Sequence, residues 1–457
     1  MAQTRHVDVM VLGGGSGLTA AHYAAKDRRS VALVDALPHA LGGTCVNRGC
    51  IPTKGLVEAA ETMKRIREAE ALGIHVDPAA VHVDFPRVME VVRERRARDA
   101  AGVRSWVEDA FTPFYGRARF VEDRTVEMED GTRLRGEVAF VCTGARPAVP
   151  PIPGLEDVGF WTNESVLEIE EQPGSLVILG GGYIGCELGH FFASLGTRVR
   201  VIDHSQCLLR EDDDVRELFT REFGRRAELH LEREAVEAIA RDGQRGFRVK
   251  GDGGEQEVLG DAILVATGRR PNTDGLGLER TGVEADERGW IRVDDRLRTA
   301  NPHVYAYGDV IGCAMFKHTS SYEGELAWAN ATGADRPVSY RTNPHAVFSD
   351  PQIGAVGLTE RECREQGLQY RVARKEYAST AKGRIVGSPP GFAKLLVEEE
   401  SDRILGFHMV GPRAADLIHE VVVAMNTGEG TADGIRRSIH VHPTLPELVA
   451  SVFAELA

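Results

Sequence analysis

From His6 to Leu12 the chain reads HVDVMVL, an apolar run with β-branched members that predicts a strand. GGGSG follows, then LTAAHYAAK at helical spacing, then SVALVD as a second strand. The same order returns at Ser175–Asp203, SLVILGGGYIGCELGHFFASLGTRVRVID. Two such units predict two nucleotide-binding domains, each α/β with a parallel sheet. Between them, the stretches at about 55–72 and 86–110 are amphipathic and predict an antiparallel helix pair. GRARFVEDRTVEME reads as short strands. Past residue 346, strands (FAKLLVEEE, ILGFHMVG) mix with helices (AADLIHEVVVAMNTG, ELVASVFAEL), as in an α+β unit. Proline-rich RPAVPPIPG (Arg146–Gly154) reads as a linker, and the pattern shifts again near Arg269–Leu278 and Arg341–Pro351. The expected segments are therefore 1–148, 149–271, 272–345 and 346–457.

Composition narrows the function classes. The chain has 457 residues and a net charge of -14, so it carries no basic footprint for nucleic acid or an anionic membrane. No apolar run approaches the ~18–20 residues of a membrane span. The first strand opens after about five residues, so no signal or transit peptide is expected. Seven cysteines are too few for a disulfide framework. A reducing cytoplasm is the expected location, and a cysteine pair there is more often catalytic than structural.

The two glycine turns differ in quality. The first is Gly13-x-Gly15-x-x-Leu18, with Asp35 ending the next strand. The first glycine allows a tight turn, and the second lets backbone approach a pyrophosphate at the helix N-terminus. Leu18 departs from the usual small third residue, and Gly17 is expected to supply the lost closeness. The second is complete, Gly180-x-Gly182-x-x-Gly185, followed by Asp203. A carboxylate there bonds a ribose 2′-hydroxyl and repels a 2′-phosphate, which favours NAD and leaves NADP as the alternative. Asp309, in YAYGDV, reads by itself as a turn aspartate.

GGTCVNRGCIPTK (Gly42–Lys54) holds the one cysteine pair close in sequence, Cys45 and Cys50. Zinc would need four ligands, and no second knuckle exists, so no metal is expected. A plain core pair remains open, as does a redox pair. In a regular helix, residues five apart have Cα atoms roughly 8–9 Å apart. A disulfide tolerates at most ~7 Å. The two can bond only if Val46–Gly49 departs from helix. Pro52 is tolerated in a first turn, so Cys50 is expected at a helix N-terminus, where thiolate is favoured. Near the C-terminus, HVHPTLPE places Glu447 five residues past His442. Thr444–Glu447 reads equally as a capping box and as the source of a carboxylate that orients His442 as acid/base.

Taken together, GGTCVNRGCIPTK, GGGYIGCELG, VATGRRPNT, YAYGDV and HVHPTLPE, in that order, resemble the class I pyridine nucleotide-disulfide oxidoreductases over nearly the whole chain. The resemblance implies two Rossmann-like domains and a C-terminal α+β dimerisation domain. It implies FAD on 1–148 and 272–345, with Gly13, Gly15, Asp35, Thr44, Lys54 and Asp309 as contacts. NAD(P) would lie on 149–271, with Gly180, Gly182, Tyr183, Gly185, Asp203 and Gly268. It implies electron flow between NAD(H), FAD, a Cys45–Cys50 disulfide and a small dithiol or disulfide. Cys45 resembles the thiol that meets substrate, Cys50 the thiol facing the flavin, and His442 and Glu447 the acid/base and its orienting partner. Lys54 and Glu187 resemble an ion pair beside the flavin, and Tyr183 a gate to the nicotinamide pocket. A homodimer and a cis His442–Pro443 bond are further implications.

Within that family the motifs resemble the dihydrolipoamide dehydrogenases first, whose partner is a 2-oxo acid dehydrogenase complex. GGGSGL, FKHTSS and LLREDDDVRELFT are closer to reductases of low-molecular-weight disulfides of the mycothione kind. Mercuric reductase would want a second cysteine pair near the C-terminus, and none follows Cys363. From another class, a redox-sensing, nucleotide-binding interaction protein is the alternative.

Overall fold

The computed structural model describes residues 4–77 and 80–456. The chain divides into two units, one of Met1–Gly55, Met89–Ala148 and Gly268–Val338, the other of Leu56–Val88, Val149–Thr267 and Ser339–Ala457.

The first unit is built on a seven-stranded sheet. Thr112–Tyr115, Val31–Asp35, Thr4–Leu12 and Arg133–Val141 run parallel, in that order. The sequence of Arg133–Val141 explains its two kinds of neighbour. Its polar first half pairs antiparallel with Thr125–Met128. Its apolar end, Ala139–Val141, is fully buried and takes Val304–Ala306 as a parallel neighbour. Parallel strands covered on both faces read as continuous apolar runs, as this end does. Ala145–Pro147 and Arg269–Pro271 form a separate antiparallel ribbon. The linker reading of Arg146–Gly154 missed that pairing, because Pro147 sits at a strand end where it needs to donate nothing.

The second unit repeats the nucleotide-binding motif in a four-stranded parallel sheet, ordered Ala227–His230, Arg198–Ile202, Ser175–Leu179 and Ala262–Val265. Three antiparallel strands, Glu234–Arg241, Gln244–Gly251 and Gly254–Gly260, accompany it. The C-terminal region is a five-stranded antiparallel sheet, ordered His345–Val347, Ile353–Gly357, Ile404–Val410, Phe392–Glu398 and Tyr370–Glu376. Helices His419–Asn426 and Pro446–Ala454 contribute Val421, Met425, Leu448, Val449, Val452 and Phe453 to the same core. No helix among the described residues is long and apolar enough to cross a membrane.

The sequence-predicted helix at about 55–72 begins earlier, at Cys50, and runs to Glu68 before a 3-10 turn, Ala69–Leu72. The second of the pair spans Phe85–Ala110.

One buried cation ties parts of the second unit together. Lys394, 2% exposed, donates to Asp212 Oδ1 at 2.8 Å, Asp214 Oδ2 at 2.7 Å and Glu360 Oε2 at 2.7 Å. Removing one partner of a buried ion cluster leaves uncompensated charge. Lys394→Met should therefore cost about 3–5 kcal/mol of stability, read as a lowered denaturant midpoint with an unchanged slope.

Candidate functional site

The two glycine turns are built alike. Gly13 and Gly180 each have φ of 108°. A Cβ on Gly13 would lie 2.3 Å from the Cys142 carbonyl oxygen, and one on Gly180 would lie 2.5 Å from that of Ala266. Only glycine meets both demands. The Gly14 N–H donates to Asp35 Oδ2 at 2.7 Å, and the Gly181 N–H donates to Asp203 Oδ2 at 2.6 Å. The second oxygens accept from Leu37 N–H at 3.2 Å and Ser205 N–H at 2.8 Å. Each carboxylate therefore pins its own turn while keeping lone pairs for a further donor. Burial pushes Asp35 up, and the N–H bonds, led by that of Gly14, pull it back.

Gly17 does what Leu18 cannot. Its Cβ would lie 2.3 Å from the Gly13 carbonyl oxygen, matching Gly185, which would lie 2.1 Å from that of Gly180. The close approach has moved one residue forward. Helix Leu18–Lys26 follows Gly17, and helix Tyr183–Ser194 follows Gly182, both without a side-chain cap. No heavy atom lies within 4 Å of a Cβ built on Gly182. Uncapped N–H groups at both helix starts suit a pyrophosphate; the backbone is open at Gly182, whereas Gly15 is packed against Gly43.

The cysteine segment is seated on the first turn by backbone. The Gly42 N–H donates to the Gly14 carbonyl at 2.7 Å. A Cβ on Gly43 would lie 2.7 Å from Gly15 Cα. Asn47 fixes the segment from inside, its amide donating to the carbonyls of Ala40, Leu41 and Gly43 at 3.2, 3.0 and 3.0 Å. Cys45 and Thr44 lie in a short helix, Gly43–Asn47, and Cys50 opens the next, Cys50–Glu68. Arg48, at φ -144° and ψ 6°, breaks the helix between them. The required departure from helix at Val46–Gly49 is present, and Cys50 stands at a helix N-terminus. Cys45 hydrogen-bonds to Cys50. That bond, then burial, then the negative charge of Cys50 push the Cys45 thiol well up, while Lys317 and Lys54 pull it down. Lys54 lies one helical turn past Cys50.

Asp309 lies in the 3-10 turn Gly308–Ile311, as its sequence reading expected, and a Cβ on Gly308 would approach Ser16 Oγ to 2.8 Å. This brings Asp309 to the end of the sheet that carries the first turn. Tyr307, fully buried, donates its hydroxyl to the Ser16 carbonyl at 3.0 Å and accepts from the Ala20 N–H at 3.2 Å. Gly268 has φ of 114°, with no heavy atom within 4 Å of its built Cβ. Next to it, Arg269 Nε is buried, lacks a hydrogen-bond partner and lies 3.5 Å from Asp309 Oδ2. Burial raises Asp309, and Arg269 opposes it.

In the second unit, Glu187 is buried and accepts from the Phe348 N–H at 3.1 Å. Tyr183 donates its hydroxyl to Glu211 Oε1 at 2.7 Å. His442 Nδ1 lies 2.8 Å from Glu447 Oε1, while Glu447 Oε2 accepts from the Thr444 N–H at 2.9 Å. The Thr444 hydroxyl donates to the Val441 carbonyl instead of capping the helix, whose N-cap is Leu445. The capping-box reading is thus half correct, and one carboxylate serves both roles weighed for it. Those two bonds, the one to His442 first, hold Glu447 below the usual carboxylate range. His442–Pro443 is cis, and so is Asp350–Pro351.

Sequence reasoning gave no role to Tyr307, Lys317, Glu211 or His345, although the first three lie within YAYGDV, FKHTSS and LLREDDDVRELFT.

The sequence profile of the family described as pyridine nucleotide-disulphide oxidoreductase matches residues 7–333. The dimerisation domain of the same family matches residues 343–452. The dihydrolipoyl dehydrogenase of Bacillus subtilis (strain 168) is 33% identical over 451 residues, 96% of each chain. That of Haloferax volcanii is 34% identical over 463 residues, covering 97% of this chain and 94% of its own. Among solved structures, the Cu(II) complex of the HOCl-induced flavoprotein disulfide reductase RclA from Escherichia coli superposes with a TM-score of 0.88 at 28% identity, over 99% of this chain and 100% of that one. LpdA from Mycobacterium tuberculosis shares the fold, with a TM-score of 0.88 at 24% identity over 99% of this chain and 100% of its own. The chain belongs to the class I pyridine nucleotide-disulfide oxidoreductases, and it is an FAD-dependent disulfide oxidoreductase that uses NAD(P)H.

Proposed function

We propose that the chain oxidises dihydrolipoamide with NAD⁺ as a homodimer, through Cys45 and Cys50. The observation that carries this reading is the broken helix of GGTCVNRGCIPTK, which sets two thiols in contact at the first dinucleotide turn.

In the oxidised protein Cys45 and Cys50 share a disulfide. A substrate thiolate attacks Cys45 sulfur, the Cys45–Cys50 bond breaks, and Cys50 leaves as thiolate at its helix N-terminus. The second substrate thiolate then attacks the substrate sulfur of the mixed disulfide and releases Cys45. The substrate leaves as a disulfide, and the pair holds two electrons. His442 takes the substrate thiol's proton, held in register by Glu447 Oε1. Released Cys45 takes up a proton, because its thiol is held high by Cys50 and by burial. Bound FAD supplies the two-electron link between this pair and NAD(H). Asp35, Thr44, Lys54 and Asp309 are assigned to its binding, together with Gly13 and Gly15. Gly180, Gly182, Gly185, Asp203, Tyr183 and Gly268 are assigned to the pyridine nucleotide.

His442 is assigned to act on the pair of a second copy. Support comes from the dimerisation-domain match and from Ile439 and Val441, apolar residues 100% and 73% exposed on the single chain beside His442. A 2-oxo acid dehydrogenase complex is the assembly that would present the dihydrolipoyl group. Asp203 argues for NAD, and kcat/KM with NADH should exceed that with NADPH by at least about tenfold; the reverse order would overturn the assignment of Asp203.

A second reading, reduction of a low-molecular-weight disulfide, has its own support. Lys317 is exposed, and its charge acts on Cys45. A rate panel separates the two, with dihydrolipoamide and NAD⁺ against several disulfides and Hg²⁺ with NADH or NADPH. The highest kcat/KM belongs to dihydrolipoamide on the first reading and to a charged disulfide on the second. Bound flavin with no turnover on any member would sink both.

A further inference from the structure

No role assigned above uses Glu211 or His345, yet both are built into one place with Tyr183. Glu211 is 2% exposed and ends the segment ahead of helix Asp213–Phe223. Its Oε1 accepts the Tyr183 hydroxyl at 2.7 Å. Its two oxygens lie 3.2 and 2.9 Å from His345 Nε2. The His345 ring lies over the Tyr183 ring, with centroids 6.0 Å apart and planes 15° apart. Tyr183 is thus held both by its hydroxyl and by its face. Burial disfavours a charged His345, but the Glu211 carboxylate outweighs it and the net shift is upward, as in an ion pair.

Glu211 is itself anchored. Its neighbour Asp212, 1% exposed, accepts from the Asp214 N–H at 3.3 Å, from Lys394 at 2.8 Å and from the Glu360 N–H at 3.0 Å. His345 and Lys394 both belong to the C-terminal sheet. Tyr183, at the other end, is the first residue of the helix after Gly182, whose backbone is open.

We propose that Glu211 and His345 are positioning residues of the pyridine-nucleotide site, holding the Tyr183 ring as a fixed wall for the nicotinamide in place of the movable gate that the resemblance implied. This rests on the assignment of Tyr183 to that site. A ring left free must be ordered each time the nucleotide binds, and a ring already held spares that entropy. The loss of the hold therefore falls on nucleotide affinity and leaves the disulfide side untouched.

The test uses the FAD-loaded dimer, with steady-state kinetics in NADH and disulfide and rapid-mixing measurement of flavin reduction by NADH. Glu211→Ala should raise the NADH KM about tenfold, the order expected for a lost hydrogen bond to a charged group. The disulfide KM and the limiting reduction rate should stay within about twofold, since neither depends on that bond. Glu211→Gln keeps an acceptor for the Tyr183 hydroxyl and should recover most of the loss. His345→Phe keeps a stacking ring without the ion pair and should raise the NADH KM several-fold; it carries the test if Glu211→Ala does not fold. An unchanged NADH KM in Glu211→Ala and His345→Phe, alongside a changed one in Tyr183→Ala, overturns the proposal alone. Equal loss for both substrates overturns it too, as the mark of general damage. No change even in Tyr183→Ala overturns the assignment of Tyr183, and this proposal with it.

Discussion

Cys50→Ser protein should bind FAD as the wild type does and lose disulfide turnover by about 10³-fold or more, the scale of removing a covalent catalyst. The reason is structural. Cys50 is the first residue of its helix, and Cys45 hydrogen-bonds to it across the break at Arg48. Serine keeps the backbone and nearly the volume but forms no bond to sulfur that later opens. Cys45 can then form a mixed disulfide with substrate and go no further. Two measurements separate this from damage to the fold. The flavin absorbance per chain should match the wild type. A thiol-reactive probe should label Cys45 faster in the variant, because the Cys50 sulfur no longer raises it. Retained turnover, or loss of FAD, would count against the assignment.

His442→Gln should lower kcat/KM for the dithiol by about 10²–10⁴-fold, the usual worth of a positioned acid/base. The demand for it is visible in Cys45, whose thiol is pushed up by Cys50 and by burial, so its proton needs somewhere to go. The pH profile sharpens the test. Glu447 has a depressed value, so its bond to His442 is intact above the ordinary carboxylate range and is lost only as pH falls through the still lower native value. The sign follows from linkage, since a carboxylate depressed by its partners contributes while ionised. An acid limb at pH 5–7 in the wild type therefore does not come from Glu447. Glu447→Gln should keep the His442 contact through its amide oxygen and cost less than His442→Gln. A larger loss in Glu447→Gln than in His442→Gln would overturn the assigned division of roles.

What could be read from the sequence was whatever depends on near neighbours. Gly13 and Gly180 announce their turns because only glycine takes that backbone under a carbonyl 2.3 or 2.5 Å from any Cβ. The break between Cys45 and Cys50 followed from helix dimensions alone. Leu18 shows the limit of motif matching, because the close approach was kept by shifting it to Gly17. Long-range partners left no such trace. Tyr307 reaches Ser16 across 291 positions, and His345 reaches Glu211 across 134. A lone tyrosine or histidine, even inside a recognisable motif, does not name a partner that far along the chain. Glu447 failed in a different way. Its spacing from Thr444 suggested a cap and its spacing from His442 a dyad, and nothing local says that one carboxylate divides its oxygens between them.

The placement of Val304–Ala306 beside Arg133–Val141 also bears on how the protein is made. The ribosome finishes the inner strand long before it makes the neighbour. At synthesis rates of ~5–20 residues per second, the gap is roughly ten to thirty seconds. During that time the buried end of Arg133–Val141 presents an unpaired edge, the kind of surface that invites wrong pairing. Meanwhile the whole of Val149–Thr267 emerges and can fold around its own parallel sheet. The first nucleotide turn, though encoded first, should therefore be completed late, once Tyr307 arrives to clasp Ser16. Newly made chains halted before residue 304 should accordingly be the form that chaperones hold and that FAD does not retain.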